Sequence, residues 1–279
     1  MTQELTGQVA LITGGGRGFG KAIAMRFAAE GAAVAITART QTELDQTVAE
    51  IMSAGGKGLA VSGDVTRSED VARVVSATTA HFGPITLFIN NAGIPGPFAP
   101  VWAADPAEWW FAQEVHLKAF FMFVHELLPS MMERRAGRII AVSAIASYRT
   151  DFAMSAYCLG KTSQNRLVQF MASEVKDFGI SAFAIDPGFV ATELAETTMR
   201  DPGAQRWKPE MIEILKARKS DPDAIQDLDR CAERCVDLAS GKYDELTGSY
   251  FELKDNPDEM LLKARENKNY FITSHWRTL

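Results

Sequence analysis

Short apolar runs alternate with longer amphipathic stretches along the first two-thirds of the chain, and the alternation predicts the fold class. The runs at 9–13, 33–37, 57–62, 86–90, 138–143 and 180–185 are nearly continuous in small and branched apolar residues. Strands of that kind are buried on both faces, as in parallel sheets covered by helices. Between them, the segments 21–30, 42–54, 71–82, 107–134 and 155–178 carry apolar residues at helical spacing. Gly31, Gly55, Gly56, Gly83 and Gly179 stand where helix C-termini need caps. The pattern predicts an α/β doubly wound domain with a central parallel sheet of about seven strands and right-handed crossovers.

After Thr192 the pattern changes. The stretch 193–227 is polar and broken by Pro202, Pro209 and Pro222, which predicts a long loop acting as a lid over a substrate. A helix at 223–240 and a strand at 249–253 then close the sheet. The tail, 254–279, reads as an amphipathic helix and an extended segment that could pack on a neighbouring subunit. No linker or repeat divides the chain, so 1–279 is expected to be a single domain.

Composition narrows the function. With 279 residues, 47% hydrophobic and 23% charged, the chain is globular rather than disordered. A net charge of -6 gives no reason to expect nucleic acid or an anionic membrane as partner. The strongly apolar stretch 119–124 is far short of the about 20 residues that span a bilayer. The N-terminus lacks the basic segment of a signal peptide, so a cytoplasmic protein is expected. Cys158, Cys231 and Cys235 form no CxxC pair, and His81, His116, His125 and His275 are scattered. No metal site is expected. Cys231 and Cys235, one helical turn apart, read as buried residues of one helix face.

The chemistry begins at Thr13-Gly14-Gly15-Gly16-Arg17-Gly18-Phe19-Gly20, between the first strand and the first helix. Glycines there allow a tight turn and a close backbone approach to a pyrophosphate, and the helix N-terminus offers free N–H groups to it. The GxGxxG spacing is not met, because Phe19 stands in the third glycine's place counted from Gly14. TGxxxGxG is met, with Gly14, Gly18 and Gly20.

With that motif the chain resembles the short-chain dehydrogenase/reductase family, over roughly residues 6–253. Asp64-Val65 resembles the pair that holds adenine. Asn90-Asn91-Ala92-Gly93 matches NNAG, which lines the adenosine site. Tyr157-Cys158-Leu159-Gly160-Lys161 matches YxxxK, and Pro187-Gly188-Phe189-Val190-Ala191-Thr192 resembles the stretch that holds the carboxamide of nicotinamide. The resemblance implies a Rossmann-type fold, a nicotinamide cofactor, and hydride transfer at an alcohol or carbonyl carbon. It also implies assembly as a homotetramer or homodimer through the helices at 107–134 and 155–178, where Phe120-Phe121-Met122-Phe123-Val124 is more apolar than one helix face requires.

Tyr157 and Lys161 lie one turn apart and share a helix face. A nearby ammonium stabilises phenolate, so Lys161 is expected to lower the tyrosine's pKa and make it the acid/base. Where members preferring NAD place an acid after the second strand, this chain has Ala38 followed by Arg39. Together with Arg17, that favours NADP(H), with NAD(H) possible.

Two positions depart from the family. Thirteen residues before Tyr157, where the family carries its serine, stands Ala144. Ser143, Ser147 and His116 are the candidates to replace it; His116 also stands where the family often has asparagine. Alternatives to an oxidoreductase are a non-redox isomerase, lyase or cyclase that retains Tyr157, and a nucleotide-binding protein with little redox turnover. Ile94, Phe98, Ile145, Phe152, Met154, Phe189 and Leu194 are expected to line the entrance and suit a small hydrophobic alcohol or ketone.

Overall fold

The computed structural model describes residues 3–190, 193–219 and 221–266. Seven strands, β1 (Val9–Thr13), β2 (Ala33–Thr37), β3 (Lys57–Ala60), β4 (Leu87–Asn90), β5 (Gly137–Val142), β6 (Ile180–Ile185) and β7 (Tyr250–Phe251), form a parallel sheet in the order β3-β2-β1-β4-β5-β6-β7. This is the doubly wound arrangement that the alternating pattern predicts. The chain passes from β3 across to the far side of β1 to start β4. Loops after β1 and β4 therefore diverge, opening a crevice at the carboxyl ends of the strands.

Continuous apolar strands follow from helices on both faces. Ala10 and Ile12 of β1 face a core layer with Ile23 and Phe27 of α1 (Gly18–Ala29) and with Cys231 and Cys235. Val9 and Leu11 face the other layer, with Phe120, Phe123, Val168 and Met171. The two cysteines are unpaired core residues, as their spacing suggests. Helices α2 (Gln41–Ser53) and α3 (Ser68–Phe82) fall where the periodicity puts them, and Gly83 ends α3 at φ +89°, a backbone angle that glycine adopts without strain.

Three elements differ from expectation. The helix over 107–134 is split into α4 (Pro106–Gln113) and α5 (Ala119–Arg134) by a π turn at Glu114–Lys118. Opposite it runs α6 (Ser155–Val175). The stretch 193–227 is helical rather than a loop: α7 (Glu193–Arg200), α8 (Pro202–Trp207), α9 (Pro209–Arg218) and the start of α10 (Pro222–Ser240). Its prolines open helices instead of breaking them, because a first-turn residue has no intrahelical use for its N–H. Asp201 caps α8 by accepting from the Ala204 N–H at 2.8 Å.

The closing strand is shorter than 249–253, with only Tyr250 and Phe251 pairing with β6. The tail contributes α11 (Pro257–Glu266), and its remainder lies outside the described residues. Among the described residues no helix is long and apolar enough to cross a membrane.

Candidate active site

A cleft of about 1250 Å³ opens at the carboxyl ends of the strands under α7, α8 and α9. Pockets for drug-sized ligands are roughly 300–1000 Å³. This one has room for a dinucleotide and a second molecule.

The glycine turn forms one end. Gly14 adopts φ +67°, and a Cβ on Gly20 would lie 2.2 Å from the Gly14 carbonyl oxygen. Gly20 is buried beneath the turn and brings α1 close, while Gly14, Gly16, Arg17, Gly18 and Phe19 line the cleft. The Asn91 Nδ2 donates to the carbonyls of Thr13 and Gly14 at 2.9 and 3.2 Å. The N–H groups of Asn91 and Ala92 both donate to Thr13 Oγ1, at 2.9 and 3.0 Å. Thr13 thus fixes the turn after β1 to the segment after β4, a role the sequence reading missed.

Gly93, Asp64, Val65, Pro187, Gly188 and Val190 also line the cleft. Asp64 Oδ1 accepts from the Thr66 N–H and hydroxyl at 2.9 and 2.7 Å. A Cβ on Gly188 would lie 2.4 Å from Asp227 Oδ2, which accepts the Phe189 N–H at 3.1 Å. Thr192 falls outside the described residues. Arg39 is exposed at the cleft and makes no ion pair with the described residues, whereas Arg17 pairs with Glu43 at 3.2 Å. A glycine cradle at a helix N-terminus, with an unpaired guanidinium beside it, fits a nicotinamide dinucleotide.

At the other end, Tyr157 and Lys161 both line the cleft from one face of α6, with Lys161 Nζ 5.9 Å from the tyrosine ring centre. Lys161 donates to the Val142 carbonyl at 2.7 Å and to Gln164 Oε1 at 3.3 Å. Burial pulls its pKa down to about 7, opposed by the charge of Asp186. Tyr157 is pushed up, first by burial and then by Asp186. The lowering expected from Lys161 does not appear, because desolvation of the buried phenolate leads and the charge of Asp186 acts in the same direction. Asp186, which the sequence reading did not single out, has its own pKa raised to about 6, chiefly by burial.

The candidates to replace the serine each have a protein partner, and Ser143 and His116 also line the cleft. Ala144 is extended and lines the cleft. The Ser143 hydroxyl donates to the Lys161 carbonyl at 3.4 Å, and Ser147 Oγ accepts from Asn165 Nδ2 at 2.8 Å. His116 has no exposed surface and is hydrogen bonded through Nε2 to the Ile94 carbonyl at 2.8 Å. A carbonyl only accepts, so Nε2 carries the proton. Burial, and then the charge of Lys161, hold its pKa down to about 3.

All seven apolar residues expected at the entrance line the cleft, and α8 and α9 add Trp207, Met211 and Ile214. Trp102, Phe152 and Trp207 form a row with ring centres 6.3 and 6.2 Å apart. The α8 and α9 residues are not legible in the sequence, because their segment is rich in charges and broken by prolines.

Residues 8–203 match the family model described as short chain dehydrogenase. A short chain dehydrogenase of Pseudocercospora fijiensis is 30% identical over 266 residues, covering 94% of this chain and 85% of the relative. The crystal structure of levodione reductase superposes with TM-score 0.79 at 27% identity, covering 89% of this chain and 96% of the other. That of 7 alpha-hydroxysteroid dehydrogenase with NADH and 7-oxo glycochenodeoxycholic acid gives 0.78 at 25% identity, covering 90% and 94%. The chain belongs to the short-chain dehydrogenase family, nucleotide-binding oxidoreductases of Rossmann fold that act on an alcohol or carbonyl carbon with NAD or NADP.

Proposed function

We propose that the protein is an NADP(H)-dependent oxidoreductase for a small hydrophobic alcohol or ketone, with Tyr157 as the proton donor and acceptor. The observation that carries this reading is the placement of Tyr157 and Lys161 on one cleft-facing side of α6, lining the same cleft as the glycine cradle. When bound, the dinucleotide supplies or takes the hydride. In the reductive direction, Tyr157 donates its proton to the substrate oxygen. Lys161 holds positive charge beside the tyrosine, which favours the phenolate that remains. The apolar wall from Phe98 to Ile214 excludes water and selects an apolar substrate.

Arg39 supports NADP(H): its guanidinium has no carboxylate partner among the described residues and can pair with a 2′-phosphate. Arg17 has Glu43 as a partner and contributes less. NAD(H) use is the lesser activity on this reading.

A second reading, a non-redox enzyme or a nucleotide-binding protein with little redox turnover, is favoured by Ala144 and by the engagement of Ser143 and Ser147. One assay separates the two. Purified protein is given NADPH with cyclic and aromatic ketones, and cofactor oxidation is followed by absorbance. Turnover is expected, and Tyr157→Phe should reduce it by about 10²–10⁴-fold while leaving NADPH binding, read by fluorescence, intact. Tight NADPH binding without oxidation across the panel would overturn the oxidoreductase reading.

A further inference from the structure

Lys161 is nearly fully buried, at 4% exposure, so its hydrogen-bond partners decide where its ammonium sits. An ammonium has three N–H donors and no acceptor. One donates to the Val142 carbonyl at the end of β5, at 2.7 Å, and a second to Gln164 Oε1, at 3.3 Å. The third remains for the cleft, which Lys161 lines.

Gln164 is itself fully buried, on the same face of α6 one turn further on. From its other end, Nε2 donates to the His116 carbonyl at 2.8 Å. The orientation of the amide is forced. Lysine only donates and a carbonyl only accepts, so Oε1 must face Lys161 and Nε2 must face His116. An apolar side chain here would leave the ammonium one acceptor short and the carbonyl without its donor, both away from water. A carboxylate would set a negative oxygen against the carbonyl.

The local backbone is built for this contact. His116 lies within the π turn Glu114–Lys118, where the helical ladder is out of step and a carbonyl can accept from outside the helix. Gly160 lets α6 approach it: a Cβ there would lie 2.9 Å from His116 Cβ. The His116 ring is held at its far end by the Ile94 carbonyl. Val142, Lys161, Gln164 and His116 thus form one continuous chain of protein hydrogen bonds beneath the cleft.

We infer that Gln164 is a positioning residue for the proposed reaction, fixing the Lys161 ammonium below Tyr157 and tying it to the π turn of His116. The inference rests on the oxidoreductase reading, since the lysine's position matters to turnover only there. The titratable groups facing the ammonium are Tyr157 on its own helix, His116 from the π turn and Asp186 from the end of β6. Gln164 adds a neutral acceptor to that set, and acceptors favour the charged form of an amine.

The test follows the side-chain ¹⁵N signal of Lys161 through a pH titration of the full chain, assigned by its loss in Lys161→Arg. Wild type is compared with the near-isosteric Gln164→Met and with Gln164→Glu. Gln164→Met should move the lysine midpoint down, and Gln164→Glu up, each by about one pH unit. The kcat profile should move with the midpoint. In Gln164→Met, kcat at neutral pH should fall about tenfold with substrate KM changed by less than about twofold, the mark of an interaction that acts on turnover rather than on binding. A folded Gln164→Met whose midpoint and kcat profile coincide with wild type would overturn the inference. If that variant does not fold, an unmoved midpoint in Gln164→Glu does the same. If wild type shows no turnover, the oxidoreductase reading fails, and the lysine midpoints still decide whether Gln164 positions the ammonium.

Discussion

The rings of His116 and Tyr157 meet edge to face, with centres 5.5 Å apart and planes at 82°. The imidazole is enclosed, its Nε2–H spent on the Ile94 carbonyl and its Nδ1 without a partner among the described residues. It forms a neutral wall against the tyrosine. Acting as a proton donor to substrate would require it to take up charge beside a buried lysine.

That enclosure has a consequence for stability. His116 titrates near 6.5 in an unfolded chain and near 3 when folded, so the unfolded state binds more protons below about pH 6.5. Its contribution is present above pH 6.5 and is lost as pH falls toward 3, with a slope approaching about 1.4 kcal/mol per pH unit. Asp186, raised from 3.8 to about 6, has the opposite sign and gains stability as pH falls through that window. The comparison must therefore be with His116→Asn, in which only the first effect is removed. Denaturant unfolding at pH 5 and pH 7 should show wild type gaining more from the higher pH than His116→Asn does. Equal gains would contradict the burial of a neutral imidazole.

Ala144 lines the cleft at the position to which the sequence resemblance assigns a serine, while Ser143 and Ser147 bond to α6. Ser143→Ala and Ser147→Ala should each change kcat by less than about threefold, since the Ser143 hydroxyl proton is given to the Lys161 carbonyl and Ser147 is not among the residues lining the cleft. Ala144→Ser should raise kcat by about tenfold or more by supplying a donor of the kind whose loss elsewhere costs about 10²–10³. Steady-state kinetics on the three variants check this, and a collapse of activity in Ser147→Ala would reassign the donor.

The cofactor preference is expected to reside in Arg39. Arg39→Ala removes one charge-assisted contact, of about 1.5–3 kcal/mol, and should lower kcat/KM for NADPH by about 10–100-fold while leaving NADH nearly unchanged. Wild type that used both cofactors equally would refute the preference itself.

Phe121 and Phe170 are half exposed on α5 and α6, although Phe120 and Phe123 beside the first are buried. Phe121 stacks on His125 and Phe170 lies under Arg166, which leaves an apolar surface along both helices. A homodimer or homotetramer through these helices is expected in light scattering. Phe121→Glu combined with Phe170→Glu should shift it to monomer. A wild-type monomer would remove this reading.

What the sequence by itself determined was local or repetitive. β1, β2, β4, β5 and β6 are legible because they are buried on both faces and so are nearly continuous in apolar residues, whereas the partly exposed edge strand β3 is legible only from its place in the alternation. Tyr157 and Lys161 share a face because they are one helical turn apart. The glycine turn reads for the same reason, its constraint lying within a few residues. Tertiary structure decided whatever depends on which element lies opposite. A proline opens a helix or interrupts one according to what precedes it, so 193–227 read as a loop and folds as helices. The hydroxyls of Ser143 and Ser147 point where α6 gives them partners. Gln164 is one of several polar residues on inward helix faces, with Gln113, Lys161 and Asn165. Its meaning came only when His116, 48 residues away, presented a carbonyl across the helix interface. Hydrogen bonds between distant elements are fixed by packing, and packing leaves no spacing in the chain to read.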